Sequence, residues 1–189
     1  MLAFEVDAMW EGSEVEGRVA KNPEQTKEIL ATYTDVTIKY LKGQVDAGAD
    51  CLQVFDSWGG ILDQGYEEFS LKFINDIRAA IAPEIPLILY ARGMKIMLHL
   101  NATEINCFNL DQNENIDEYI NKQITIQGNI DPNDFNQDVE KVLALAENIY
   151  EKYSKCENYV CNVGSGITPD IDPNKVGLFL QRLRVLNSK

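Results

Sequence analysis

The sequence predicts an α/β fold: a parallel (β/α) barrel of TIM type, represented by an incomplete set of βα units. Three observations carry this. Helical and strand patterns alternate along the 189 residues, as they do in a parallel sheet with crossover helices. The strand segments carry apolar residues on both faces, as strands covered on both sides do. Polar groups collect just after the strands: Asp56-Ser57-Trp58, Arg92-Gly93, Asp111-Gln112, Gly128-Asn129 with Asp131, and Gly164-Ser165-Gly166. In barrels the C-terminal strand ends carry the chemistry. A closed barrel takes about 250 residues and eight units, whereas this chain offers roughly five or six. No GxGxxG or GxxxxGK[ST] is present, which removes the main support for an open nucleotide-binding sheet. The length suits one domain, without linker, low-complexity segment or close internal repeat.

Each element has a local cause. Asn22, Pro23 and Gln25 open a long helix, as cap, first-turn proline and capping-box partner. Ile29, Tyr33, Val36, Tyr40, Leu41 and Val45 give that helix one apolar face. Gly48 stops it, and Cys51–Phe55 follows as a short buried strand. A helix over Tyr66–Ile81 leads to a strand at Pro86–Ala91. A short helix over Lys95–Ala102 precedes the strand Ile105–Leu110. Ile116–Lys122 reads as helix and Ile124–Gln127 as strand. A long helix over Asn133–Tyr153 leads to the strand Asn158–Val163, and a helix over Lys175–Leu186 follows. Asp131-Pro132 and Asp172-Pro173 are helix starts of the same kind as Asn22-Pro23.

Charge narrows the partners. With 17 Lys+Arg against 30 Asp+Glu the net charge is −13. So acidic a chain repels phosphate backbones and anionic lipid surfaces, so neither nucleic acid nor membrane is an expected partner. An acidic small substrate needs a local basic group to overcome that field. No run of apolar residues is long enough to span a bilayer, and the acidic start is neither a secretory signal nor a transit peptide. Cys51, Cys107 and Cys161 lie in strand-like runs, while Cys156 does not. They read as buried structural thiols in a reducing cytosol, with no disulfide framework. The cytoplasm is the expected compartment, and a plastid the alternative.

Three segments together resemble the uroporphyrinogen decarboxylase family. "LKGQVDAGADCLQVFDSWGGIL" is similar to its strand-and-loop segment, "ITIQGNIDPNDF" to its QGN-x-DP loop, and "YVCNVGSGITPDIDPNKVGLFLQRL" to its NLGHG…P…P-x-x-V segment. Order and spacing fit, and the resemblance runs from roughly Leu2 to Leu186. It corresponds to the C-terminal half of such an enzyme, hence a half-barrel with the N-terminal half absent. It implies a (β/α)8 barrel without cofactor, homodimeric, that removes the acetate carboxylates of uroporphyrinogen to give coproporphyrinogen. In that family, arginines and an aspartate of the N-terminal half do most of the charge work.

Residue by residue, the resemblance places Ser57 at the family's serine after the fifth strand, a contact to a substrate carboxylate. Ser165 stands where the GHG loop has histidine. Ala8 aligns with the substrate-contacting tyrosine when "VDAMWEGS" is laid on the tyrosine-x-x-EGG stretch. Imidazole carries charge and a hydroxyl does not, so Ser165 keeps one hydrogen bond at most, and Ala8 offers none. Arg92 follows its strand where the family often has a basic residue; it is a carboxylate partner or a surface arginine. Asp56 is part of the site or of a plain turn. Trp58 walls a tetrapyrrole pocket or fills the barrel top. Asp111 ends a strand, as an acidic residue commonly does in the family, or caps the next helix. Gln127-Gly128-Asn129 with Asp131-Pro132 reads as structural.

Two rivals fall short. Related cobalamin-dependent methyltransferases bind zinc through His-x-Cys and a distant Cys. Here His99 is followed by Leu100 and Asn101, and the late loop carries Ser165, so the soft thiolate set is missing. His99 reads as packed or superficial, and no GxSxG elbow supports a hydrolase. The expected function is therefore uroporphyrinogen decarboxylase-like, with the chain alone weak or inactive. The alternative is a non-catalytic half-barrel that dimerises or docks on a complementing half through its unpaired edges.

Overall fold

The structure, a computed structural model, describes residue 19 and residues 21–188, apart from 58, 94 and 121. The chain divides into two compact units, Met1–Asn109 and Leu110–Lys189. Ala8 and Trp58 lie outside the described residues.

In the first unit, helix α1 (Pro23–Asp46) leads to strand β1 (Leu52–Asp56). A 3-10 stretch (Gly59–Gly65) and a π-helical turn (Glu67–Leu71) precede α2 (Lys72–Ala80). Strand β2 (Leu87–Ala91), a 3-10 segment (Ile96–Ala102) and β3 (Cys107–Asn109) follow. β1 pairs in parallel with β2, and β2 with β3. β2 and β3 are buried along their whole length, as parallel strands under helices should be, whereas β1 is mostly half-buried. Leu87, Leu89 and Phe108 fill this core with Leu71, Ile74 and Ile77 of the helical layer.

The predicted α1 stripe is displaced. Thr26, Thr34, Thr37 and Leu41 are buried, and Val36 is 46% exposed. Threonine buries without an orphaned hydroxyl because the preceding turn supplies an acceptor. Thr26 Oγ1 donates to the Asn22 carbonyl at 2.9 Å and Thr34 Oγ1 to that of Leu30 at 2.8 Å. Gly48 ends the helix region with φ +95°, a conformation that side chains disfavour. The predicted helix over Tyr66–Ile81 is present but opens through the π turn, which buries Phe69, Ser70 and Leu71.

In the second unit, a 3-10 turn (Ile116–Glu118) replaces the helix predicted to Lys122. Strand β4 (Thr125–Gln127) pairs in parallel with β5 (Tyr159–Val160), and an isolated bridge joins Ile130 to Val163. The predicted helix Asn133–Tyr153 is broken: a 3-10 turn (Pro132–Asn136) ends at extended Gln137, and α3 (Val139–Tyr153) starts afresh. Helix α4 (Pro173–Asn187) packs on α3. Their shared core holds Phe135, Val142, Ala146, Ile171 and Phe179 with Ile130.

Of the three Xaa-Pro helix starts, two are capped as predicted. Asp131 accepts from the Asn133 N–H at 2.9 Å, and Asp172 from that of Asn174 at 2.9 Å. Asn22, with ψ 68°, makes no side-chain cap bond. Asp131→Ala and Asp172→Ala should therefore each destabilise by about 1 kcal/mol. Asn22→Ala should be close to neutral by comparison in urea unfolding. Cys107 is buried, and burial raises its thiol to about 11. Cys51 and Cys161 are exposed, against expectation, because they flank β1 and β5 rather than lie within them.

Candidate functional site at the strand ends

The predicted site residues fall in both units, so each wall stands on its own geometry. In the first unit, β1 and β2 run in register with Asp56 opposite Ala91. Ser57 and Arg92 are the residues immediately after these strands, so two neighbouring parallel strands deliver a hydroxyl and a guanidinium at the same end. Ser57 is half-buried and Arg92 exposed. The Phe55 ring meets the Tyr90 ring edge-on, centroids 5.8 Å apart, on one face of this pair.

Asp56 is already engaged. Its carboxylate accepts a hydrogen bond from Ser70 Oγ at 2.5 Å, a short contact of the charge-assisted kind. Tyr66 is wholly buried beside it. Burial, and then the charge of Asp56, push the Tyr66 phenol well above its ordinary range. Its hydroxyl lies near Asp56 and Ser70 but makes no hydrogen bond in the described structure. Gly59 closes the turn over this group: a Cβ there would lie 2.1 Å from Asp56 Oδ2 and 2.6 Å from Tyr66 Cε2. The strand-to-helix turn thus has glycine at this position for close approach. Ser70 and Tyr66 carried no signal in the sequence, since both read as part of an ordinary amphipathic helix.

His99 is packed, one of the two placements the sequence leaves open. Its ring sits 5.0 Å from the Tyr66 ring, and Nδ1 is 2.9 Å from Glu67 Oε1. Among the described residues no group of three or more His, Cys, Asp and Glu side chains is placed to hold a metal ion. No described helix is long and apolar enough to cross a membrane.

In the second unit, three strand-end loops are stitched together. The Leu110 N–H donates to the Gln127 carbonyl, and the Gly164 N–H to that of Ile130. Asn129 Nδ2 donates to the carbonyls of Asp111 at 2.8 Å and Glu114 at 2.6 Å. Asp111 is buried and holds Asn113 through its backbone N–H at 3.0 Å and its side chain at 2.6 Å, which makes it a local turn cap. A Cβ on Gly164 would meet the Gln112 backbone nitrogen at 2.3 Å, so the GSG loop lies directly on Gln112. Ser165 follows, half-buried.

The chain resembles known proteins over most of its length. The uroporphyrinogen decarboxylase of Hydrogenovibrio crunogenus is 31% identical over 187 residues, covering 94% of this chain and 53% of that protein. That of Pseudoalteromonas translucida is 31% identical, covering 94% and 54%. That of Neisseria meningitidis is 33% identical, covering 87% and 49%. The chain therefore spans about half the length of the curated relatives it matches. A putative vitamin-B12-independent methionine synthase from Listeria monocytogenes shares the fold, with a TM-score of 0.57 at 15% identity, over 91% of this chain and 57% of that one. The expected α/β fold with parallel strands is the fold observed. The model of the uroporphyrinogen decarboxylase (URO-D) family matches residues 11–185, and the chain belongs to that family.

Proposed function

We propose that this chain forms the C-terminal part of a uroporphyrinogen decarboxylase-type (β/α) barrel domain and holds carboxylates of a porphyrinogen substrate. The parent reaction removes CO2 from the acetate side chains of uroporphyrinogen to give coproporphyrinogen. It needs no cofactor: a protonated pyrrole accepts the electron pair of the breaking C–C bond as CO2 leaves, the exocyclic methylene left behind takes up a proton to become a methyl group, and loss of the added ring proton restores the pyrrole. The observation that supports the reading best is the register of β1 and β2, which sets Ser57 and Arg92 at adjacent strand ends.

Ser57 donates a hydrogen bond to a substrate carboxylate, and Arg92 supplies positive charge in a chain of net charge −13. Ser165 offers one hydroxyl donor where the family has imidazole. Asp56 is a like charge to the substrate and serves the turn, not the ligand. Ala8 and Trp58 stay candidates of the family alignment alone. The arginines and aspartate of the family's N-terminal half would come from a complementing half-barrel.

Purified chain titrated with uroporphyrin, the oxidised eight-carboxylate ring, should show saturable binding that weakens for four-carboxylate coproporphyrin. Ser57→Ala and Arg92→Ala should each weaken it about tenfold or more. The chain alone should not turn over uroporphyrinogen at a normal decarboxylase rate. Absence of binding, or binding indifferent to both substitutions, would sink the reading.

A further inference from the structure

The Asp56-Ser70 contact points beyond a tidy turn. Side chains alternate along a strand, so Asp56 and Phe55 face opposite sides of β1. Phe55 faces Tyr90 of β2. Asp56 faces the helical layer, where Ser70 Oγ holds it at 2.5 Å. Ser57 follows in the turn, directly after the residue that Ser70 holds. Ser70 reaches Asp56 from the π turn Glu67–Leu71, a rare local geometry that recurs near functional sites. Gly59 then brings the backbone down onto Asp56 and Tyr66, with no room for a Cβ. Asp56 is thus bonded by Ser70 and closely approached by Gly59.

We propose that Ser70 is a positioning residue: through Asp56 it locks the strand-end turn and aims Ser57 at a substrate carboxylate. The locking rests on this geometry alone, whereas the aiming rests on the functional reading given above. Ser70 is buried and bonded to Asp56, so in this proposal its effect on binding passes through the turn that carries Ser57.

Two measurements separate these parts. Amide hydrogen exchange on the ligand-free chain reports the lock. Ser70→Ala should speed exchange at residues 57, 59 and 60 about tenfold or more, and Ser70→Thr, which keeps the hydroxyl, should restore protection. Ser70→Cys keeps the volume but weakens the donor, and moves exchange in the same direction if Ser70→Ala does not fold. Unchanged exchange would overturn the lock. Uroporphyrin titration reports the aim. Ser70→Ala should weaken binding about tenfold in the wild-type background and not at all in Ser57→Ala. Equal losses in both backgrounds would overturn action through Ser57. A wild-type chain that does not bind uroporphyrin overturns the functional reading and the aiming with it; the exchange data still decide the lock.

Discussion

Phe179→Ala is expected to destabilise the second unit by about 3–5 kcal/mol. Phe179 on α4 and Phe135 in the 3-10 turn before α3 are each 2% exposed. Their rings meet edge to face, centroids 5.4 Å apart at 90°, an arrangement worth roughly 0.5–1.5 kcal/mol beyond its buried area. Around them lie Val142 and Ala146 of α3, both fully buried, with Leu145, Ile149 and Leu183 among the partly buried side chains packed against the cluster. A small domain holds only about 5–15 kcal/mol in total. Loss of most α3-α4 helicity by circular dichroism at a denaturant concentration that leaves the parent folded would bear this out. A shift below about 1 kcal/mol would show that the core relaxes freely, contrary to its packing.

Gly164→Ala should have the next largest effect, about 1–3 kcal/mol or more. The added Cβ would stand 2.3 Å from the Gln112 backbone nitrogen and 2.7 Å from its Cα. Backbone cannot rotate aside as a side chain can, so one strand-end loop must move. Two residues on, a Cβ on Gly166 would meet nothing within 4 Å. Gly166→Ala is thus a control within the same loop and should be nearly neutral. Equal urea midpoints for the two variants would contradict the close approach. The displaced loop would also carry Ser165 with it, so Gly164→Ala should weaken uroporphyrin binding more than Gly166→Ala does.

Much of this was legible in the chain. Asp131 and Asp172 were readable as caps because the bond is local: each carboxylate reaches an N–H two residues on. Asn22 before Pro23 looked the same but makes no side-chain cap bond, because its backbone adopts φ −143° and ψ 68°. The α1 stripe was misread because threonine counts as polar by composition. Inside a helix its hydroxyl is satisfied by the turn before it, and the residue packs as an apolar one. Over Asn133–Tyr153 the apolar periodicity hardly breaks, so the sequence predicts one continuous helix. The interruption at Gln137 is a matter of backbone, which periodicity does not record.

The sequence by itself determined the parallel α/β class, the family and the strand ends on which polar residues gather. Those depend on periodicity and on motifs a few residues long, and local physics is enough for them. Only the tertiary structure decided what the residues of "FDSWGG" do. Asp56 is committed to Ser70, 14 positions further on, and Gly59 is there for contact with a buried tyrosine as much as for a turn. The physical reason is distance along the chain: a hydrogen bond across a strand and a π turn exists only once both have formed and their register is set.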